Sequence, residues 1–180
     1  FERWQFLQHI DLGRNNIDIL PEGTFRGNKL LVSIILYENK LKDVPSGLDH
    51  VLLRELWLNG NCISIVDFHG PEQGTAISPS RSSYTPLLET LHLHDNAIEM
   101  FRSMPHAPFL KHIDLSFNNI DSFEDSGLYQ HVLKKYKNSL EHLRLNDNPV
   151  CDLPDYREYV VHCLPALIEL DGIPVTKEER

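Results

Sequence analysis

Leucine and isoleucine recur along this chain in a fixed pattern that includes one asparagine. The pattern places apolar residues at positions one, four, six and eleven, and an asparagine at position nine. It occurs six times, and each copy satisfies all five positions. The copies begin at Leu7, Leu31, Leu53, Leu88, Leu110 and Leu140. Such self-similarity is the signature of a repeat architecture, so the sequence predicts a stack of six similar units.

Each copy predicts a short strand followed by a turn. Positions four and six are apolar and flank a variable residue, which is the alternation of a strand with one buried face. One unit cannot bury that face alone, so neighbouring units are expected to stack and pair their strands in parallel. The asparagine amide is expected to bond the unpaired backbone of adjacent turns. The asparagines are Asn15, Asn39, Asn61, Asn96, Asn118 and Asn148.

The pattern Leu-x-x-Leu-x-Leu-x-x-Asn-x-Leu resembles the leucine-rich-repeat family over nearly the whole chain. The resemblance implies an α/β solenoid, a curved right-handed superhelix. Its concave side is expected to be a parallel sheet of about six to seven short strands, and its convex side to be irregular or helical. We expect six repeats over residues 1–148 and a C-terminal cap over residues 149–180.

Two repeats exceed the basic spacing of about 22 residues and therefore carry insertions. The first insertion, at about 67–86, is rich in Gly, Pro and Ser and predicts a surface loop. It is either a tolerated insertion or a functional segment, which would be a second contact element or a phosphorylated stretch around Ser78, Ser80, Ser82 and Ser83.

The second insertion, at about 124–138, predicts a helix on the convex side. Apolar residues recur in it at helical spacing, with lysines on the other face. The lysines are interpreted as a solvated face rather than a nucleic-acid site. The apolar residues are Leu128, Val132, Leu133 and Tyr136, and the lysines are Lys134, Lys135 and Lys137.

After Asn148 the pattern changes to that of a cap. Residues 156, 159, 160 and 163 share one helix face, and Leu167 and Leu170 predict the start of a seventh, truncated strand. The motifs Asp-Tyr-Arg-Glu at 155–158, Leu-Pro-x-Leu at 164–167 and Leu-Asp-Gly at 170–172 resemble the cap of intracellular leucine-rich-repeat proteins. That group includes acidic nuclear phosphoproteins, the spliceosomal leucine-rich-repeat subunit, and phosphatase-regulatory and axonemal members. The resemblance implies an intracellular protein, with the cytoplasm favoured over the nucleus or the cilium.

Composition narrows the function classes. The net charge of −9 argues against direct nucleic-acid binding, which needs a basic surface. No apolar run reaches the roughly 18 residues of a membrane span, and residues 1–4 lack the features of a signal peptide. Cys62, Cys151 and Cys163 are few and odd in number, which favours reduced thiols, although Cys151 and Cys163 would be able to pair in a secreted domain. We expect a monomeric domain of a longer chain.

The concave face is expected to carry the binding site, because function must be argued from exposed side chains rather than from the fold. Positions three, five and seven of each repeat point onto this face. Ile35, Tyr37 and Trp57 form an exposed apolar group with His92 and His94 beside it, as a protein-binding hot spot requires. The alternative is that a loop of the chain itself covers Trp57. The other predicted contacts are Asn59, Glu55, His112, Asp114 and Arg144.

Chemistry at the concave histidines is the remaining alternative. His92 and His94 lie on one side of a strand and His112 lies nearby. This pattern is compatible with zinc binding, or with partner binding that changes near pH 6.5 as the imidazoles become charged. Convergence of these side chains with Asp95 or Asp114 does not follow from the sequence, so no metal and no cofactor is predicted. The chain has no phosphate loop, nucleophile elbow or His-Glu-x-x-His motif, and no catalytic residue is predicted.

The sequence therefore predicts a non-enzymatic module that binds a partner protein or peptide on its concave sheet. The first alternative is an assembly subunit of an RNA-processing or axonemal complex, as the resemblance of the cap implies. A smaller alternative is metal-responsive or pH-responsive binding through the concave histidines.

Overall fold

The chain folds into two sheets of short strands. The computed structural model describes residues 4–46, 48, 50, 52–68 and 83–180. The strands are β1 (His9–Asp11), β2 (Ser33–Ile35), β3 (Glu55–Trp57), β4 (Ile65–Asp67), β5 (Thr90–His92), β6 (Met100–Ser103), β7 (His112–Asp114), β8 (His142–Arg144), β9 (Glu169–Leu170) and β10 (Ile173–Pro174). The large sheet has the order β1-β2-β3-β5-β7-β8-β9-β10, and β4 pairs with β6 in a small sheet. The expected parallel sheet of repeat strands is confirmed.

The six repeat strands alternate as their hydrophobic pattern predicts. The middle residue of each strand is buried, and its two neighbours in the strand point to the other face of the sheet. Position four of one repeat pairs with position four of the next in an unbroken parallel register. The buried middle residues are Ile10, Ile34, Leu56, Leu91, Ile113 and Leu143.

Five of the six repeated asparagines tie successive turns together, as the sequence predicted, whereas Asn15 donates to Leu12 and Gly13 of its own repeat. Asn118 is buried, and its Oδ1 accepts a hydrogen bond from the backbone N–H of Ile98 at 2.9 Å. Its Nδ2 donates to the carbonyls of Leu93 at 3.1 Å and Leu115 at 2.9 Å. The same amide geometry recurs at Asn39, Asn61, Asn96 and Asn148. These bonds satisfy buried backbone groups that no strand pairs, which makes the asparagines structural.

The residue at position eight of every repeat adopts a left-handed backbone, which the sequence did not indicate. Only one of the six is glycine, and an exposed phenylalanine is another, Phe117 with φ of 55°. Each of these residues directly precedes the asparagine of its repeat, so the left-handed turn lies where the chain leaves the strand. The six residues are Arg14, Glu38, Gly60, Asp95, Phe117 and Asp147.

The small sheet was not predicted, and it lies where the first insertion departs. β4 and β6 pair in parallel with an irregularity between Val66 and Asp67. Ser83 Oγ donates to the carbonyl of Phe68 at 2.7 Å, so the two ends of the insertion meet. The insertion therefore leaves and returns beside the small sheet. The phosphorylation hypothesis for Ser78, Ser80 and Ser82 falls outside the described residues, whereas Ser83 is described and is buried.

The second insertion contains a helical turn, as expected. A π-helical turn spans Tyr129–Leu133, and all four residues of the predicted apolar face are buried. Tyr136 Oη donates to the carbonyl of Pro105 at 2.7 Å, and burial raises the pKa of this phenol strongly. The three lysines are exposed, although Lys135 Nζ also donates to the carbonyl of Met104 at 2.6 Å.

The C-terminal segment covers the end of the large sheet. Helix α1 spans Tyr156–Cys163, β9 extends the sheet in parallel as the seventh strand, and β10 adds an antiparallel edge that the sequence did not predict. Asp171 Oδ1 accepts hydrogen bonds from the backbone of Leu145 at 2.6 Å and Asn146 at 2.9 Å. All three cysteines are unpaired. The boundary between residues 148 and 149 remains a prediction.

Candidate functional site

The predicted site residues lie in rows that run across the large sheet. At position five the register places Ile35, Trp57, His92, Asp114 and Arg144 on successive strands. Adjacent strands are about 4.8 Å apart, so each side chain in a row lies beside the next. At position three the row contains Glu55 and His112, and at position seven it contains Tyr37, Asn59 and His94. The sequence analysis placed all ten residues on the concave face and grouped Ile35, Tyr37 and Trp57 with His92 and His94 beside them, but it did not group the remaining five.

The structure separates these residues into two groups. One group, here called the aromatic half, consists of Ile35, Tyr37, Glu55, Trp57 and Asn59 on β2, β3 and the turns after them. The other, here called the histidine half, consists of His92, His94, His112, Asp114 and Arg144, with His142 added from the same face. Trp57 and His92 meet at the boundary, where their ring centroids are 4.0 Å apart at 34°.

The aromatic half is less exposed than the sequence indicated. Ile35, Tyr37 and Trp57 are each partly buried rather than fully exposed. The physical reason is the strand spacing, because the His92 ring on β5 covers one face of the Trp57 indole. Whether residues 69–82 also contact Trp57 falls outside the described part of the chain.

The ring of Tyr37 packs against Gly13 of the first repeat. A Cβ atom at Gly13 would lie 2.4 Å from Cε1 of the Tyr37 ring, so the ring occupies the space that any larger residue there would need. On the other side, Arg14 Cζ lies 5.6 Å from the ring centroid, within the range of a cation–π contact. The first repeat therefore positions the aromatic side chain of the second.

Asp114 organises the histidine half. Its Oδ1 accepts hydrogen bonds from Ser116 Oγ at 2.6 Å and from the Ser116 backbone at 3.0 Å. Its Oδ2 lies 3.5 Å from His94 Nδ1 and 3.8 Å from the guanidinium of Arg144. The sequence did not predict that these side chains converge, and the structure corrects that expectation. β5 and β7 are the strands of consecutive repeats and pair in parallel, which places His92 beside Asp114.

The histidines also contact one another. The rings of His112 and His142 stack at 4.5 Å and 14°, and those of His92 and His94 meet edge to face at 5.9 Å. Burial lowers the pKa of His92, and the nearby His94 lowers it further. Burial and then the neighbouring His142 lower the pKa of His112. Both imidazoles therefore remain neutral down to a lower pH than an ordinary histidine, whose pKa is about 6.5.

A hollow of about 350 Å³ lies on the histidine half, away from the residues expected to be central. Its lining includes four of the predicted site residues, His92, His112, Asp114 and Arg144, and also Thr90, His142 and Glu169. Thr90 and His142 occupy position three, so the repeat pattern predicted that they lie on the concave face. Glu169 was missed because it belongs to β9, where the repeat pattern is truncated.

Similarity to known proteins agrees with this geometry. Residues 5–63 and residues 106–122 match two family models, both described as leucine rich repeat. The chain has the fold of a leucine-rich-repeat solenoid. This leucine-rich-repeat solenoid aligns with the crystal structure of the Drosophila melanogaster SNF/U2A' complex at a TM-score of 0.56 and 19% identity, covering 95% of this chain and 76% of that chain. At this identity the alignment supports the fold alone.

Two relatives of the leucine-rich-repeat solenoid are similar in sequence. Dynein axonemal assembly factor 11 of Trypanosoma brucei brucei is 34% identical over 110 residues, which cover 52% of this chain and 29% of that protein. U2 small nuclear ribonucleoprotein A' of Saccharomyces cerevisiae is 39% identical over 71 residues, which cover 39% of this chain and 28% of that protein. The matches therefore leave most of each relative's length unaligned.

None of the helices within residues 4–46, 48, 50, 52–68 and 83–180 has both the length and the apolarity of a membrane span.

Proposed function

We propose that this chain is a non-enzymatic recognition module that binds a partner protein across its concave face. The observation that carries the proposal is the position-five row, in which an apolar residue, an indole, an imidazole, a carboxylate and a guanidinium stand side by side. Such a row offers an apolar anchor flanked by directional polar groups, which is the composition of protein interfaces.

The aromatic half supplies the anchor. Trp57 is held between its own strand and the His92 ring, so it loses little conformational freedom when a partner covers its remaining face. The histidine half supplies orientation, because Asp114 is fixed by Ser116 and Arg144 keeps 56% of its side-chain surface exposed. Together they favour a partner that brings an apolar side chain to Trp57 and polar groups to the hollow.

The geometry supports binding over catalysis. The hydroxyl of Ser116 is buried and donates to Asp114, so a carboxylate holds it and no imidazole activates it. The side chains of the row also extend over five strands, which suits contact with an extended partner surface.

The test is affinity capture with three versions of the chain. The wild type, a Tyr37→Ala/Trp57→Ala variant and an Ile19→Ala/Phe109→Ala control would be compared by quantitative mass spectrometry. The control removes two exposed apolar side chains outside the strands of the large sheet. We expect proteins held by the wild type and the control to be lost from the concave variant. Equal recovery by all three would contradict the concave site.

A second candidate is an assembly subunit of an RNA-processing or axonemal complex inside the cell. The names of the two sequence relatives favour it, as do the three unpaired cysteines. It differs from the first candidate in the identity of the captured partner. Nuclease treatment before capture separates the two further, since loss of the partner after treatment would indicate contact through RNA.

A further inference from the structure

Two histidines and one carboxylate converge on the concave face. His92, His94 and Asp114 each bring one potential ligand atom to within 4.8 Å of the other two. His92 and His94 follow one another on the same side of β5 and its turn, and Asp114 lies beside His92 on β7. We propose that these three side chains form a binding site for one Zn²⁺ ion, with an open coordination position for water or a partner's donor atom.

The spacing of the ligand atoms fits a tetrahedral ion. Zinc binds imidazole nitrogen and carboxylate oxygen at about 2.0–2.2 Å, so two ligands in a tetrahedral site lie about 3.4 Å apart. His94 Nδ1 and Asp114 Oδ2 are 3.5 Å apart. The ligand atom of His92 lies within 4.8 Å of both. Two histidines with one carboxylate and an open position is a set that zinc sites use.

The second observation is that one ring nitrogen of each histidine is buried and makes no hydrogen bond among the described residues. Nδ1 of His92 and Nδ1 of His94 are both buried, and neither makes a hydrogen bond within the described part of the chain, although the Asp114 carboxylate lies 3.5 Å from His94 Nδ1. A buried ring nitrogen without a partner loses the hydrogen bond that it would make to water. A metal ion between the two rings would remove that deficit.

The surroundings of Asp114 orient it as a ligand. Ser116 donates twice to Oδ1, which leaves Oδ2 as the atom directed towards His94. Outer hydrogen bonds of this kind fix metal-binding carboxylates. The guanidinium of Arg144, 3.8 Å from Oδ2, competes with a cation for the same oxygen, but its side chain is exposed enough to turn away.

The test uses the purified chain without a polyhistidine tag and does not depend on a partner. Zn²⁺ binding would be measured by titration calorimetry, and Co²⁺ would serve as a spectroscopic probe because tetrahedral Co²⁺ absorbs visible light far more strongly than octahedral Co²⁺. We expect one Zn²⁺ per chain and a tetrahedral Co²⁺ spectrum. His94→Gln and Asp114→Asn are each expected to weaken Zn²⁺ binding by at least about tenfold.

The matched control is His142→Gln, the same substitution at a concave histidine outside the trio. It is expected to leave the Zn²⁺ affinity and the Co²⁺ spectrum unchanged. Thermal unfolding of each variant without metal shows that it is folded, and His94→Gln remains informative if Asp114→Asn is not. Equal affinity in wild type and His94→Gln, or equal loss in His142→Gln, would overturn the site and indicate adventitious binding.

Discussion

The two halves of the concave face use the same repeat positions for different chemistry. In the aromatic half, Tyr37 rests on Gly13 and Trp57 rests against His92, so packing holds the side chains. In the histidine half, hydrogen bonds and charge hold them, with Asp114 at the centre. The repeat constrains only the inward positions, so the outward ones are free to differ. A leucine-rich-repeat surface must therefore be understood strand by strand.

The largest expected effect is a loss of stability on removal of the asparagine side-chain amide that lies beneath each half of the concave face. Asn118 lies under the histidine half, where its buried side chain bonds the backbone of Ile98, Leu93 and Leu115. Asn118→Ala is expected to reduce the free energy of unfolding by about 3 kcal/mol, because several backbone groups lose their partner out of reach of water. Urea denaturation would measure the change.

Asn61 is the matched position under the aromatic half, and it is only partly buried. Water replaces some of its bonds, so Asn61→Ala is expected to cost less, about 1–2 kcal/mol. Equal losses in the two variants would show that burial of the amide does not set the difference.

The next effect concerns partner affinity. Trp57→Ala is expected to weaken binding of the captured partner by about 2 kcal/mol or more, roughly thirtyfold, because a buried aromatic anchor dominates an interface. Arg144→Ala is expected to cost about 1 kcal/mol or less and to depend on salt, since the side chain is mostly exposed. Calorimetry or surface plasmon resonance at two salt concentrations would rank them. The reverse ranking would move the anchor to the histidine half.

The smallest effect tests whether the first repeat positions Tyr37. Gly13→Ala places a methyl group where the Tyr37 ring lies, so the ring must shift. We expect partner affinity to fall by about 1 kcal/mol or less, which is the size of a side-chain repositioning effect. In a Tyr37→Ala background the same substitution should have no further effect on affinity. An undiminished loss in that background would mean that Gly13 acts through something other than Tyr37.

Much of the fold followed from the sequence because it depends on local periodicity. The buried Leu and Ile, the parallel register and the role of Asn118 all repeat every 22 residues or so, and a repeated pattern admits one way of stacking. The apolar face of 124–138 and the seventh strand at Leu170 followed for the same reason. The small sheet and β10 did not, because residues 65–67 and 173–174 carry no repeat of their own.

The sequence predicted the candidate site only in part. The sequence determined which residues face outward, because side-chain direction alternates along a strand whatever its neighbours are. Only the tertiary structure decided that Asp114 reaches His94, that His92 covers Trp57 and that Glu169 joins the hollow. These contacts depend on rotamers and on which strands become neighbours across insertions of different length. Such contacts are set by packing between distant segments, which no local pattern encodes.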